Sequence, residues 1–146
     1  MKLVIPADIM ERMRRHGEET YPAECCGFML GSADDSSRRV AEILPQANER
    51  TDSPGNRFLI SPAQFRDAER HARKTGRQLV GIYHSHPDSP ARPSEFDRDH
   101  AWPWFSYLIV SVGGGKAGES NGWQLKDDRS AYDRLEVEIA EQGETS

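Results

Sequence analysis

Apolar positions recur along the chain in two periods, and the changes between them mark its elements. Lys2 to Ile5 predicts a first strand, and Pro6 suits the first turn of a helix. Ile9, Met10, Met13 and Gly17 then recur at helical spacing, giving that helix one narrow inward face. It ends before Tyr21-Pro22, because the residue preceding a proline is pushed out of the helical region. Cys25 to Leu30 reads as a buried strand, Ser32 to Ser37 as a polar turn, and Arg39 to Leu44 as a strand pairing back. Asn48 to Arg57 is the most loop-like stretch before Gln78, an ordinary surface connection or the lining of a substrate groove, and Phe58 to Ile60 is a short strand. Ser61-Pro62-Ala63-Gln64 joins an N-cap serine, an N1 proline and an N3 glutamine, a strong helix start. Phe65, Ala68 and Ala72 face that helix inward, and Gly76 ends it. Leu79 to His86 is a further strand, stopped by a proline that cannot donate to a ladder. Ser94 opens a short helix from Glu95 to about Trp102. Ser106 to Val112, Trp123 to Leu125 and Leu135 to Ile139 are the last strands, with a glycine-rich connection over Gly113 to Ser120. Trp102-Pro103-Trp104 reads as core, with apolar contacts flanking a peptide cleft as the alternative, and 141–146 as a frayed tail.

Strands outnumber helices, so the pattern implies a mixed sheet flanked by two main helices, without its strand order. At 146 residues the chain holds one core, taken as one domain over 1–140. A net charge of -5 argues against nucleic acid or an anionic membrane as the main partner. No apolar run approaches the roughly 20 residues of a membrane span, and Met1 to Ile5 is too short for a signal sequence, so a cytoplasmic protein is expected. Adjacent Cys25 and Cys26 read as small buried strand residues in a reducing compartment. The glycine-rich stretch lacks the Gly-Lys-Ser/Thr ending of a phosphate loop.

The chemistry concentrates between Gln78 and Asp97. Side chains alternate along a strand, so Val80, Ile82, His84 and His86 share one face, with the two imidazoles about 6 to 7 Å apart at Cβ. Both rings can converge on one metal from there. Ser94-x-x-Asp97 is by itself a variant capping box. Beside the histidine pair, Asp97 also completes a set of two imidazoles and a carboxylate, which plus water is the open arrangement of a catalytic zinc site. No Cys-x-x-Cys pair supplies a fourth ligand for a structural zinc. His100, Asp88 and Asp99 are fallback ligands, and His71 is read as a non-ligand. Glu24 stands directly against an apolar strand, where burial raises a carboxyl's pKa toward that of a proton shuttle.

His84-Ser85-His86, seven residues, Ser94, two residues, Asp97 resembles the signature of the JAMM (MPN+) zinc metalloprotease family. Glu24, in Pro22-Ala23-Glu24-Cys25-Cys26-Gly27, resembles that family's upstream glutamate. The resemblance implies an α/β fold of the MPN, cytidine deaminase-like kind: a mixed, curved β-sheet flanked by two main helices plus a short active-site helix. It implies one Zn2+ held by His84, His86 and Asp97, with Glu24 as general acid/base and Ser94 as oxyanion donor. The implied activity is hydrolysis of a peptide or isopeptide bond after the Gly-Gly-type tail of a ubiquitin-like or sulfur-carrier protein, with the compact chain resembling the prokaryotic branch. A deubiquitinase-like isopeptidase, or a non-catalytic MPN scaffold, are the alternatives.

Overall fold

Strand β1 (Lys2–Pro6) runs directly into helix α1 (Ala7–Thr20), which buries Ile9, Met10, Met13 and Gly17 as its spacing predicts. The computed structural model describes residues 1–48 and 60–141. β2 (Cys26–Ala33) and β3 (Ser37–Gln46) form an antiparallel hairpin. Its turn is closed by Asp34 Oδ1, which accepts from the backbone N–H groups of Ser36 and Ser37 at 2.9 and 2.8 Å. Helix α2 (Pro62–Lys74) starts with a complete capping box between Ser61 and Gln64. β4 (Gln78–Pro87), helix α3 (Glu95–His100), β5 (Ser106–Gly113), β6 (Lys116–Leu125) and β7 (Tyr132–Ala140) follow.

The fold is α/β with a mixed sheet, but that sheet corrects the expected curved form flanked by helices. Its strands close into a barrel in the order β1-β3-β2-β4-β5-β6-β7. The five-residue β1 closes it, pairing parallel with β3 on one side and with β7 on the other. That placement leaves no unpaired edge. It was out of reach of pattern reading, since a strand's periodicity says which faces are buried and nothing about which strands lie beside it.

Two apolar clusters flank the strands. One joins α1 to Leu3, Ile5, Met29, Val80, Tyr83 and Leu108. The other joins α2 to Phe28, Leu30, Leu79, Ile82, Tyr107 and Leu125. Val80 and Ile82 therefore lie in different clusters, although a regular strand puts them on one face. Leu30 pairs with Leu79 and Met29 with Gly81, so Val80 is one residue extra on β4. Such a bulge reverses the alternation. The expected common face holds only from Ile82 onward, through His84 and His86.

Two smaller expectations are also corrected. The glycine-rich connection shrinks to Gly114 and Gly115, at φ 57° and 88°, and β6 already begins at Lys116. Two central residues at positive φ suit a two-residue hairpin turn. Trp102 and Trp104 are 57% and 46% exposed rather than core. The Arg38 guanidinium, 4.0 Å from its ring centroid, covers part of Trp104. The loop assigned to Asn48–Arg57 and the strand Phe58–Ile60 fall outside the described residues except at Asn48 and Ile60, and 142–146 of the tail also lie outside them.

Candidate metal centre

β4 is buried on both faces and delivers its histidines at its C-terminal end, beside β2 and β5. His84 is 1% exposed and His86 8%. Antiparallel pairing sets Cys26 opposite His84. The register continues one residue further: Ser85 N donates to Cys25 O at 3.2 Å, and Cys25 N donates to Ser85 Oγ at 2.8 Å. One more step brings Glu24 alongside His86. Glu24 is 3% exposed, and its ligand-capable oxygen lies with those of both histidines in a group spanning no more than 4.8 Å.

The fourth group arrives from α3. Ser94 Oγ accepts from Asp97 N at 3.1 Å, and Ser94 N donates to Asp97 Oδ2 at 2.9 Å. The capping box is real, and it fixes the carboxylate. The same Oδ2 lies 3.3 Å from His84 Nε2 and 3.1 Å from His86 Nε2. The two Nε2 atoms are 3.1 Å apart. Capping and metal-site spacing are thus one arrangement, not competing ones.

Hydrogen-bond chemistry says what this triangle suits. Pro90 O, 2.9 Å from His86 Nδ1, can only accept, so Nδ1 carries a proton. Neutral His86 then aims its Nε2 lone pair at an anionic oxygen, which is repulsive without a positive charge between them. A proton or a metal cation satisfies the contact. Three donor atoms separated by 3.1 to 3.3 Å approach the edges of a tetrahedron, about 3.3–3.4 Å for zinc–ligand bonds of about 2.0–2.1 Å. Two imidazoles and a carboxylate also suit zinc chemically, so the residues fit that metal.

Electrostatics follow the same geometry. Burial opposes ionisation of Asp97, yet the charge and hydrogen bonds of His84, with those of His86 and Ser94 N, hold its carboxyl far below the usual range. Burial lowers the pKa of His84 despite Asp97. Burial also opposes the charged form of His86, but hydrogen bonding and attraction to Asp97 outweigh it and raise its pKa. The cluster favours a bound positive charge.

The cluster stands between two cavities. The larger, about 1020 Å³, is lined by His84, Asp97, Phe65, Ile82, Phe105 and Tyr107 among others. The smaller, about 470 Å³, is lined by Glu24, His86, Ser94, Arg92, Ser89 and the prolines 87, 90 and 93. All five predicted residues, Glu24, His84, His86, Ser94 and Asp97, thus meet at one place. Of the fallback ligands, Asp88 is engaged elsewhere, by Tyr21 OH at 2.6 Å and Gly114 N at 2.8 Å. His100 and Asp99 line the larger cavity. His71 sits away from the cluster, 2.9 Å from Glu42.

Sequence reasoning passed over the residues that hold this set. Ser85 was only the spacer between two histidines, yet its buried hydroxyl anchors the backbone beside Glu24. The loop bearing Pro90 O is pinned at Ala91 O by Asn121 Nδ2 and Trp123 Nε1, at 3.2 and 3.1 Å. The polar Ser85 inside an apolar strand was a usable signal. Asn121 and Trp123, about thirty residues away, gave none.

Fold and site together define the class: an α/β barrel bearing two histidines and a carboxylate around a common point, with a buried glutamate at a cavity beside them. The chain belongs to the prokaryotic homologs of the JAB domain, whose family model matches residues 6–126. It is 33% identical to a desampylase of Haloferax volcanii over 118 residues, 77% of this chain and 83% of that protein. It is 30% identical to the CysO-cysteine peptidase of Mycobacterium tuberculosis over 141 residues, 96% of this chain and 92% of that protein. A solution structure of a protein from Desulfitobacterium hafniense, 33% identical, superposes with a TM-score of 0.84 over 97% of this chain and 95% of that one. No helix among the described residues is long and apolar enough to cross a membrane.

Proposed function

We propose that the chain is a zinc metallopeptidase that cuts the bond following the Gly-Gly-type tail of a ubiquitin-like or sulfur-carrier protein. The carrying observation is the convergence of His84 Nε2, His86 Nε2 and Asp97 Oδ2, with buried Glu24 beside them at a cavity. The names of the two relatives, a desampylase and a CysO-cysteine peptidase, support the substrate class.

In this reading His84, His86 and Asp97 are the metal ligands. Bound zinc supplies Lewis acidity, which makes water acidic near neutral pH and polarises a carbonyl oxygen. Glu24 takes the proton of the attacking water and later delivers it to the leaving amine. Its burial keeps bulk water from competing for that proton. Ser94 Oγ donates to the oxygen that gains charge as the carbonyl carbon becomes tetrahedral. The cap does not forbid this, since Oγ only accepts from Asp97 N and keeps its own O–H to donate. Pro90 O holds His86 in one tautomer, and Ser94 N holds Asp97 Oδ2. The acyl part of the substrate runs along the larger apolar cavity, and the leaving amine lies on the side of Glu24.

The test uses a Gly-Gly-tailed carrier with a short C-terminal extension, followed by mass spectrometry. Wild-type protein with one zinc cleaves after Gly-Gly, loses the activity to a chelator and regains it with zinc. Glu24→Gln keeps the zinc and loses turnover. A Glu24→Gln protein as fast as wild type refutes the proton-transfer role, and undiminished cleavage without metal refutes the metallopeptidase reading.

A further inference from the structure

We propose that Arg92 binds the α-carboxylate of a single C-terminal residue on the leaving side, so that the favoured substrate is a carrier tail bearing one terminal amino acid. This rests on the peptidase reading above and specifies its substrate.

The leaving side is fixed by Glu24. A group that protonates the leaving amine must reach it at about 2.6–3.2 Å. Glu24 is 3% exposed and lines the smaller cavity, so the leaving group occupies that cavity. At about 470 Å³ it has room for an amino acid between walls of proline. Its charged lining residues other than His86 are Glu24 and Arg92. A terminal amino acid carries its carboxylate on the carbon next to the amine, and hence close to Glu24. Two carboxylates at that distance repel unless a cation stands by. Arg92 is the residue of this cavity that supplies one, in a chain whose net charge is -5.

Arg92 is also available and held at its base. Its guanidinium makes no hydrogen bond or ion pair among the described residues. Its own N–H donates to Pro90 O at 2.8 Å. The residue before it, Ala91, is fully buried, with its carbonyl held by Asn121 and Trp123. The residue after it is Pro93. A guanidinium fork on a pinned backbone matches a carboxylate bidentately at low ordering cost. A lysine ε-amine leaving group, as in an isopeptide conjugate, brings no carboxylate to this position. The geometry therefore separates two kinds of bond that share the same acyl tail.

The experiment compares three substrates with one carrier: a single added residue with a free carboxylate, the same residue as its C-terminal amide, and an isopeptide conjugate to a lysine. Wild-type protein with zinc should turn over the free acid about 10- to 100-fold faster than the amide, the worth of a charge-assisted pair. In Arg92→Gln that ratio should fall to near one, and Arg92→Lys should keep part of it. Thermal unfolding of each variant controls for folding. Equal wild-type rates on acid and amide, a ratio unchanged in Arg92→Gln, or a preference for the isopeptide conjugate overturns the Arg92 assignment while leaving the peptidase reading intact. Cleavage of none of the three, with one zinc bound, overturns both.

Discussion

Replacing Ser94 separates its two roles, because cap strength and donor ability respond differently to the same set of side chains. Its Oγ accepts from Asp97 N at 3.1 Å, in a helix of six residues where one lost cap matters. Ser94→Ala removes the acceptor and should cost about 1 kcal/mol of stability, whereas Ser94→Gly, a fair N-cap, should cost only a few tenths. The backbone N–H that holds Asp97 Oδ2 at 2.9 Å survives in both variants, so the metal ligand stays supported. Losing the donor is a separate matter. One well-placed oxyanion donor is worth about 3 to 4 kcal/mol, or about 100- to 1000-fold in turnover. Both Ala and Gly should therefore be slow by that factor, although their stabilities differ, and Ser94→Thr should restore most of both properties. Single-turnover cleavage of a Gly-Gly-extended carrier, with zinc content and urea unfolding measured on each variant, reads all three quantities. If Ser94→Gly works within about threefold of wild type while Ser94→Ala is slow, turnover follows the cap and the donor role is wrong.

Two other predictions bear on the scaffold. A Cβ on Gly81 would lie 2.0 Å from the backbone oxygen of Ser106 on the neighbouring parallel strand, so Gly81→Ala should cost about 3 kcal/mol in urea unfolding; a loss under about 0.5 kcal/mol would mean the β4–β5 pair yields freely. Burial pushes the Cys25 thiol up to about 11 from an ordinary value near 9, so the folded state favours the neutral thiol. Its contribution is full below pH 9 and falls as pH rises toward 11, by roughly 2–3 kcal/mol. The stability difference between wild type and Cys25→Ala should shift by that amount across this window, and a constant difference would refute the burial argument.

Local physics was legible in the sequence wherever it decides alone. The inward face of α1, the capping boxes of α2 and α3 and the His-x-His pair each depend on residues within about one turn or one pleat of each other. What stayed hidden was set across the chain. The closure of the barrel depends on β1 meeting both β3 and β7. The face shared by the histidines depends on the pairing of β4 with β2, which makes Val80 a bulge. The exposure of Trp102 and Trp104 contradicts their hydrophobicity, because the segment between α3 and β5 borders a cavity instead of a core.

The catalytic roles expected of Glu24 and Ser94 have a different origin, since they come from a resemblance in spacing rather than from local physics. The contacts show why such a spacing is restrictive. His86 is oriented by a carbonyl four residues later, Asp97 by the amide of the residue that caps its own helix, and the peptide joining Glu24 to Cys25 is held by a serine hydroxyl lying between the two histidines. Each support is a backbone group, or a side chain bonded to backbone, inside the motif's own stretch. An insertion within the seven residues between His86 and Ser94 would therefore disturb the Pro90 contact and the approach of Asp97 together. A helix cap alone tolerates any distance to the preceding strand. A cap whose acid must also reach two imidazoles does not, and that difference makes the spacing of this Ser-x-x-Asp restrictive.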